Sequence, residues 1–327
     1  MNRREWMAVV LAGLTAPTQG FAQQAGPFPA KPLRAFIGFA AGGNTDVVAR
    51  AIAKKLAELA GQPVVIENRP GAGGTLANEA VASAAPDGYT LLVSNLSSHV
   101  LAPALMARPR VDVQKAFVPV ALTNRTPIFL GVSSAVRADS LREFIAKARV
   151  RPGAFSYGAP SAGGVGHLAA VMFNRQAGIV AEPIVYKGSN PATVDLAGGT
   201  LQYMFDGMAA LAPHIASGRV TVLAVSGTHR QPELPQVPTF AEAGFPEMSQ
   251  LETWNAWFAP TGTPQAAVLK LNQLLMQALA DAQLQQSLRS YGNEAYPPMT
   301  PAQVAAFIAS ERQRWLPLLQ QAGVKPE

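Results

Sequence analysis

The chain has 327 residues, 49% hydrophobic and 14% charged, which suits a large core in about two domains and neither a disordered nor a fibrous protein. Its formal net charge of +6 is spread along the chain without a basic run, so a nucleic-acid partner is not expected and a mild preference for acidic ligands is the most the charge supports. Cysteine is absent, which excludes disulfides, thiolate metal sites and cysteine nucleophiles.

Arg3 and Arg4 precede an apolar run from Trp6 to Leu14, and Gly20 and Ala22 flank a plausible cut before Gln23. Residues 1–22 therefore read as a signal peptide, by the general or the twin-arginine route, and the exported remainder is expected to be soluble. Gln23 to Pro32 is an extended lead-in. An apolar strand candidate from Phe36 then breaks at Gly42-Gly43 and continues as a helix through Val48, Ile52, Leu56 and Leu59. Asn44, Thr45 and Asp46 stand where a helix N-cap is expected. The turn reads either as an ordinary capped βα turn or as an anion site using the remaining N–H groups and the positive end of the helix dipole.

Val64-Val65-Ile66 reads as a short buried strand, followed by a second glycine turn, Gly71 to Gly74, and a helix from Leu76 to Ala85. A dinucleotide fingerprint fails there, because its third glycine falls on Leu76. The strand Tyr89 to Val93 ends in Ser94-Asn95-Leu96-Ser97-Ser98-His99, a loop at the strand end where open α/β sheets bind ligands; His99 alone reads as a packing residue. Phe117 to Val132 reads as two strands around Asn124-Arg125-Thr126-Pro127, the first crossing into another lobe.

After a helix opened by the capping box at Ser140, the first pattern returns: strand Phe155 to Gly158, turn Ala159 to Gly164, helix Val165 to Gln176. Two such helix N-termini facing across a cleft would grip an anion from both sides. Asn190 and Pro191 are expected to start another helix, and Asp206 at a strand end is either an N-cap or a group that binds ligand donors. A proline-rich passage from Gln231 to Pro238 suggests the return crossing. Trp254 and Trp257 on an aromatic strand belong to a pocket wall or the core, a long helix runs from Pro264 through Ala282, and Pro317 is expected to kink the last helix. The alternation implies a two-lobed α/β protein.

The four histidines lie far apart without metal-ligand spacing, and no phosphate loop occurs, so neither a metal nor a cofactor is expected. Ala159-Pro160-Ser161-Ala162-Gly163 is one substitution from a nucleophile elbow, with Asp206 and His214 or His229 following in hydrolase order. Ala159-Pro160 puts bulk and a fixed φ where the elbow needs glycine. A serine hydrolase of small esters using Ser161 stands as an alternative.

With these motifs placed, the chain resembles the Bug-type substrate-binding receptors of tripartite tricarboxylate transporters. The resemblance is carried by Ala41-Gly42-Gly43-Asn44-Thr45-Asp46, Glu67-Asn68-Arg69-Pro70-Gly71-Ala72-Gly73-Gly74, Ala85-Pro86-Asp87-Gly88-Tyr89-Thr90-Leu91-Leu92, Tyr186-Lys187-Gly188-Ser189, Met204-Phe205-Asp206 and Ala259-Pro260-Thr261-Gly262-Thr263-Pro264. It implies a periplasmic two-lobed Venus-flytrap fold of type II-like form, without catalysis or cofactor. Residues 28–124 and 226–327 would form one lobe and residues 125–225 the other, with hinges near residues 124 and 226. The receptor would capture a small organic acid or amino acid as a monomer and hand it to membrane transporter subunits, or, as an orphan sensor, report to a partner protein. The resemblance places Gly43, Asn44, Thr45 and Asp46 at the ligand from the first lobe, with Ser94, Ser97 and Ser98 at the rim. From the second lobe it places Ser161, Gly163, Gly164, His167 and Asp206 there. The chain departs from the family pattern at Gly164 and Val165, where a hydroxyl residue is usual, and at Asn44, where glycine is common.

Overall fold

The largely apolar run Leu33–Ile37 forms β1, hydrogen-bonded in parallel to β2 (Val64–Asn68) on one side and β3 (Thr90–Asn95) on the other. Between them run α1 (Asn44–Ala60) and α2 (Thr75–Ala82), giving parallel strand-helix-strand units. The computed structural model describes residues 28–322, so the expected signal peptide lies outside the described residues. β2 is the sheet edge, which leaves Val65 45% exposed and corrects the expectation of a buried strand.

Two strands that return from elsewhere complete this sheet antiparallel, β4 (Phe117–Pro127) and β10 (Glu252–Pro260), with the two-residue β11 (Glu294–Ala295) beyond, in the order β11-β4-β10-β3-β1-β2. The first crossing, expected at Asn124 to Pro127, comes later, because that stretch is strand and Glu252 to Asn255 pair along it. The chain leaves the sheet at Ile128 and enters β5 (Phe129–Ser133) of a second sheet. That sheet holds β6 (Phe155–Ala159), β7 (Ala181–Val185), β8 (Tyr203–Asp206) and β9 (Val220–Val225), in the order β7-β6-β8-β5-β9. Its helices are α3 (Leu141–Arg149), α4 (Val165–Ala177), α5 (Ser189–Gly198) and α6 (Met208–Ala216). The outgoing and returning chains are tied where they cross: Ile128 N donates to Ser226 Oγ at 2.7 Å and Ser226 N donates to Ile128 O at 2.9 Å.

The chain closes on the first lobe with α7 (Gln265–Leu279), α8 (Ala282–Ser290) and α9 (Pro301–Gln321). The single long helix expected through Ala282 is divided, because Asp281 caps a new one by accepting from Leu284 N at 2.9 Å. α9 runs on through Pro317. Val48, Ile52 and Leu56 of α1 pack with Leu271 and Leu275 of α7 behind the first sheet, whereas Trp254, Phe258 and Trp315 join Phe144, Phe173 and Phe205 in a core shared by both lobes. Trp254 and Trp257 are therefore core, and the Trp254 and Trp315 indoles both donate to the buried Glu311 carboxylate, at 3.1 and 2.9 Å. His99 is buried beside them, stacked on Phe258 at 4.0 Å.

Candidate functional site

α1 follows β1 through Gly42, whose φ of +80° suits glycine alone, and its N-cap is Gly43, extended and without a side-chain acceptor. Asn44, Thr45 and Asp46 belong to the first turn and do not cap it, contrary to the sequence expectation. The reason lies in the Asp46 carboxylate, which turns back to accept from Gly42 N at 2.9 Å, Arg50 Nε at 3.0 Å and Asn68 Nδ2 at 2.8 Å. Burial pushes this carboxyl up, but the hydrogen bonds from Arg50, Gly42 and Asn68 and the Arg50 charge outweigh it and hold the pKa below the usual aspartate range. Asp46 thus braces the turn. The first helical bond runs from Val47 N to Gly43 O, so the N–H groups of Asn44, Thr45 and Asp46 have no acceptor among the described residues.

The second lobe repeats this construction three times. α4 is capped by Gly164, α5 by Gly188 and α6 by Gly207, each in extended ψ and each without a side-chain acceptor. Elsewhere Ser140, Asp281 and Thr300 cap α3, α8 and α9 with their side chains. The four glycine-capped termini converge on one cleft between the lobes, lined from α1 by Gly43 to Asp46, from α4 by Val165 and Gly166, from α5 by Ser189 and before α6 by Asp206. Phe39, Ile128, Pro160 and Phe205 supply its apolar walls, and none of the described lining residues is Lys or Arg. Such a site concentrates N–H donors and positive helix ends without a cationic side chain, the chemistry that accommodates a carboxylate.

Of the residues singled out from the sequence, Gly43, Asn44, Thr45, Asp46, Ser97, Ser161 and Asp206 are brought to this cleft. Ser94 and Ser98 are not at its rim. They lie buried behind it, Oγ to Oγ at 2.8 Å, while Ser98 N donates to Asn95 Oδ1 at 3.0 Å and fixes the turn after β3. Gly163, Gly164 and His167 support the cleft from behind: Gly163 N donates to His167 Nδ1 at 3.0 Å, which assigns that nitrogen as acceptor, and burial holds the imidazole pKa down. Asp206 accepts from Gly207 N through Oδ1 at 2.7 Å, while Oδ2 is enclosed and has no partner among the described residues. Burial pushes its carboxyl up to about 6 against the smaller opposing influence of the nearby Ser189 hydroxyl and the Gly207 N–H.

The hydrolase constellation is not assembled. No hydrogen bond joins Ser161 to a histidine among the described residues, His214 Nδ1 has no partner there, and His229 is exposed beside Glu294. No group of His, Asp and Glu suited to a metal ion occurs among the described residues.

Sequence reasoning missed the floor of the site. Thr45 Oγ1 donates to Asn255 Oδ1 at 3.2 Å and accepts from Asn95 Nδ2 at 3.0 Å. Asn255 Nδ2 donates to Asn124 Oδ1 at 3.3 Å, and Asn124 Nδ2 donates to Asn293 Oδ1 at 2.8 Å. Thr126 also donates to Asn293, whose amide reaches Asn44 Oδ1 at 3.4 Å and closes a buried ring of amides and hydroxyls. Thr253, 8% exposed, lines the cleft with its hydroxyl unpartnered among the described residues. The residues of this ring are up to 249 positions apart, and the one local mark of it is the unbroken polar run Thr123-Asn124-Arg125-Thr126 inside an otherwise apolar strand.

A family model described as tripartite tricarboxylate transporter family receptor matches residues 48–324. BugT of Bordetella pertussis is 37% identical over 333 aligned residues, covering 99% of both chains. Among solved structures, a Rhodopseudomonas palustris protein determined with adipate superposes with a TM-score of 0.88 at 32% identity, covering 92% of this chain and all of its own. MatC from Rhodopseudomonas palustris, with bound malate, gives 0.83 at 34% identity over 89% of this chain and all of MatC. The periplasmic binding protein BugD gives 0.87 at 31% identity over 92% of this chain and all of BugD.

Proposed function

The chain belongs to the receptor family of the tripartite tricarboxylate transporters, and on that premise we propose that it is a periplasmic solute receptor that captures a small carboxylated metabolite between its lobes. The observation that carries this reading is the convergence of four glycine-capped helix termini on a single cleft without a lysine or arginine. A carboxylate accepts several N–H bonds in a plane, and helix ends offer them already oriented, so little order is lost on binding. Relatives solved with adipate and malate support the same ligand class.

The N–H groups of Asn44 and Thr45 hold the acid from the first lobe, and those of Gly166 and His167, with Ser161, meet it from the second. Asp206 Oδ2 accepts only, so it suits a ligand hydroxyl or amine. Residues 28–127 with 252–322 move as one body and 129–225, with Val237 to Phe245 packed beside β9, as the other, hinged where the chain crosses at Ile128 and again before β10. Membrane transporter subunits are the partners that receive the loaded form.

A thermal-shift screen of residues 23–327 against aromatic, dicarboxylic and amino acids tests the reading. A ligand at 100 times its Kd stabilises by about 2.7 kcal/mol, a rise of several degrees. Stabilisation by one acid class without hydrolysis of esters in the same wells is the expected result. Ester hydrolysis that disappears in Ser161→Ala would replace the receptor by an enzyme.

A further inference from the structure

α4 begins with an N–H that its own lobe leaves unsatisfied. Gly164 has no side chain to cap the helix, and the preceding turn supplies only the Ser161 carbonyl, which is taken by Gly164 N at 3.2 Å. The Val165 N–H instead donates to Ser97 Oγ at 3.0 Å, and Ser97 belongs to the turn after β3, in the opposite lobe. Its side chain is buried, with the residue 5% exposed. A Cβ at Gly164 would stand 2.3 Å from Ser161 Oγ and 3.1 Å from Ser97 Oγ, so a side chain at the cap position itself has no room beside these hydroxyls. A second bond between the lobes, Ala40 N to Lys187 O at 3.3 Å, lies on the same rim.

We propose that Ser97 is a closure latch: an N-cap for the second lobe's helix α4, supplied by the first lobe, made when the lobes shut and broken when they part. The inference rests on the receptor's closing motion and moves Ser97 from ligand contact to lobe contact. Both ends of the latch are protein. It therefore shifts the balance of closed and open forms by a factor that does not depend on the ligand, and apparent affinity follows the closed fraction. An N-cap hydroxyl of this kind is expected to change that balance about threefold to tenfold.

The chain has no cysteine, so Lys54→Cys on α1 and Arg151→Cys beyond α3, both exposed, can carry spin labels that read the distance between lobes. In ligand-free protein, Ser97→Ala is expected to move the distance distribution toward the open form. It is also expected to weaken malate, adipate and benzoate by one common factor of about three to ten, through faster dissociation, while Ser97→Thr keeps the hydroxyl and stays near wild type. An unchanged distribution with losses that differ from acid to acid would make Ser97 a ligand contact and overturn the latch, as would no change in either measurement. Failure of all three acids to bind wild type would count against the carboxylate reading alone, since the ligand-free distances still report on the latch.

Discussion

The two faces of the cleft are built on opposite principles. On the first lobe, Asn44 and Thr45 rest on a buried ring of Asn95, Asn124, Thr126, Asn255 and Asn293, so the face is held by side chains that satisfy one another. On the second lobe the decisive feature is missing side chains. A Cβ at Gly166 would lie 2.4 Å from Phe205 O, and one at Gly207 would lie 2.6 Å from Asn44 Oδ1 in the opposite lobe. The first face is preorganised, and the second is shaped to come down on it closely. Deleting groups should therefore injure the first, and adding groups should injure the second.

The largest expected effect is at Gly207. Its φ of −74° and ψ of 155° suit any residue, so a substitution there costs nothing in backbone strain, only in contact with Asn44 and with Thr126, 2.9 Å away. Gly207→Val should weaken the closed form by about 1–3 kcal/mol and reduce affinity about tenfold to hundredfold, with the melting temperature of the ligand-free protein nearly unchanged. A calorimetric titration beside a melt separates these outcomes, and a lost fold with intact affinity would reverse the comparison.

Next in size is Asn293→Ala, which leaves Asn124, Thr126 and Asn44 short of partners at buried positions. A loss of about 1–3 kcal/mol is expected, seen as a lower melting temperature with or without ligand. If Asn293→Ala changes affinity and leaves stability intact, the ring does not hold the first face.

The smallest effect is on pH. The Asp206 carboxyl, pushed up to about 6, favours the protonated folded form, so its contribution is present below the ordinary aspartate value of 3.8 and is lost as pH rises through about 6. Asp206→Asn should raise the melting temperature of ligand-free protein above pH 6 and match wild type below pH 3.8. His99 works in the other direction. Burial, helped by the Arg312 charge, pushes it down to about 3, so its stability is present above 6.5 and fades as pH falls toward that value. Melting curves from acid to neutral pH in both proteins check the sign.

Much of the lobe plan was legible because glycine turns and helical spacing are local signals. Gly42-Gly43 before Val48 and Ile52, and Gly163-Gly164 before Val165, announce strand, turn and helix on their own. The cap was not legible, since Asn44, Thr45 and Asp46 are good capping types and nothing local shows that Arg50 and Asn68 draw the Asp46 carboxylate away. Ser94, Ser97 and Ser98 look alike in the sequence, yet only Ser97 faces the cleft, because the π-type turn Ser97–Leu101 turns Ser98 under toward Asn95. The ring around Asn293 joins segments from opposite ends of the chain and had no periodic signature.

Whether glycine-capped helix termini hold a carboxylate between the lobes is decided by titrating the protein with adipate, malate and benzoate and with the corresponding primary amides. At least one acid is expected to bind, and its amide, with the same shape and no charge, to bind at least about tenfold more weakly. An amide that binds as tightly as its acid would contradict the carboxylate reading.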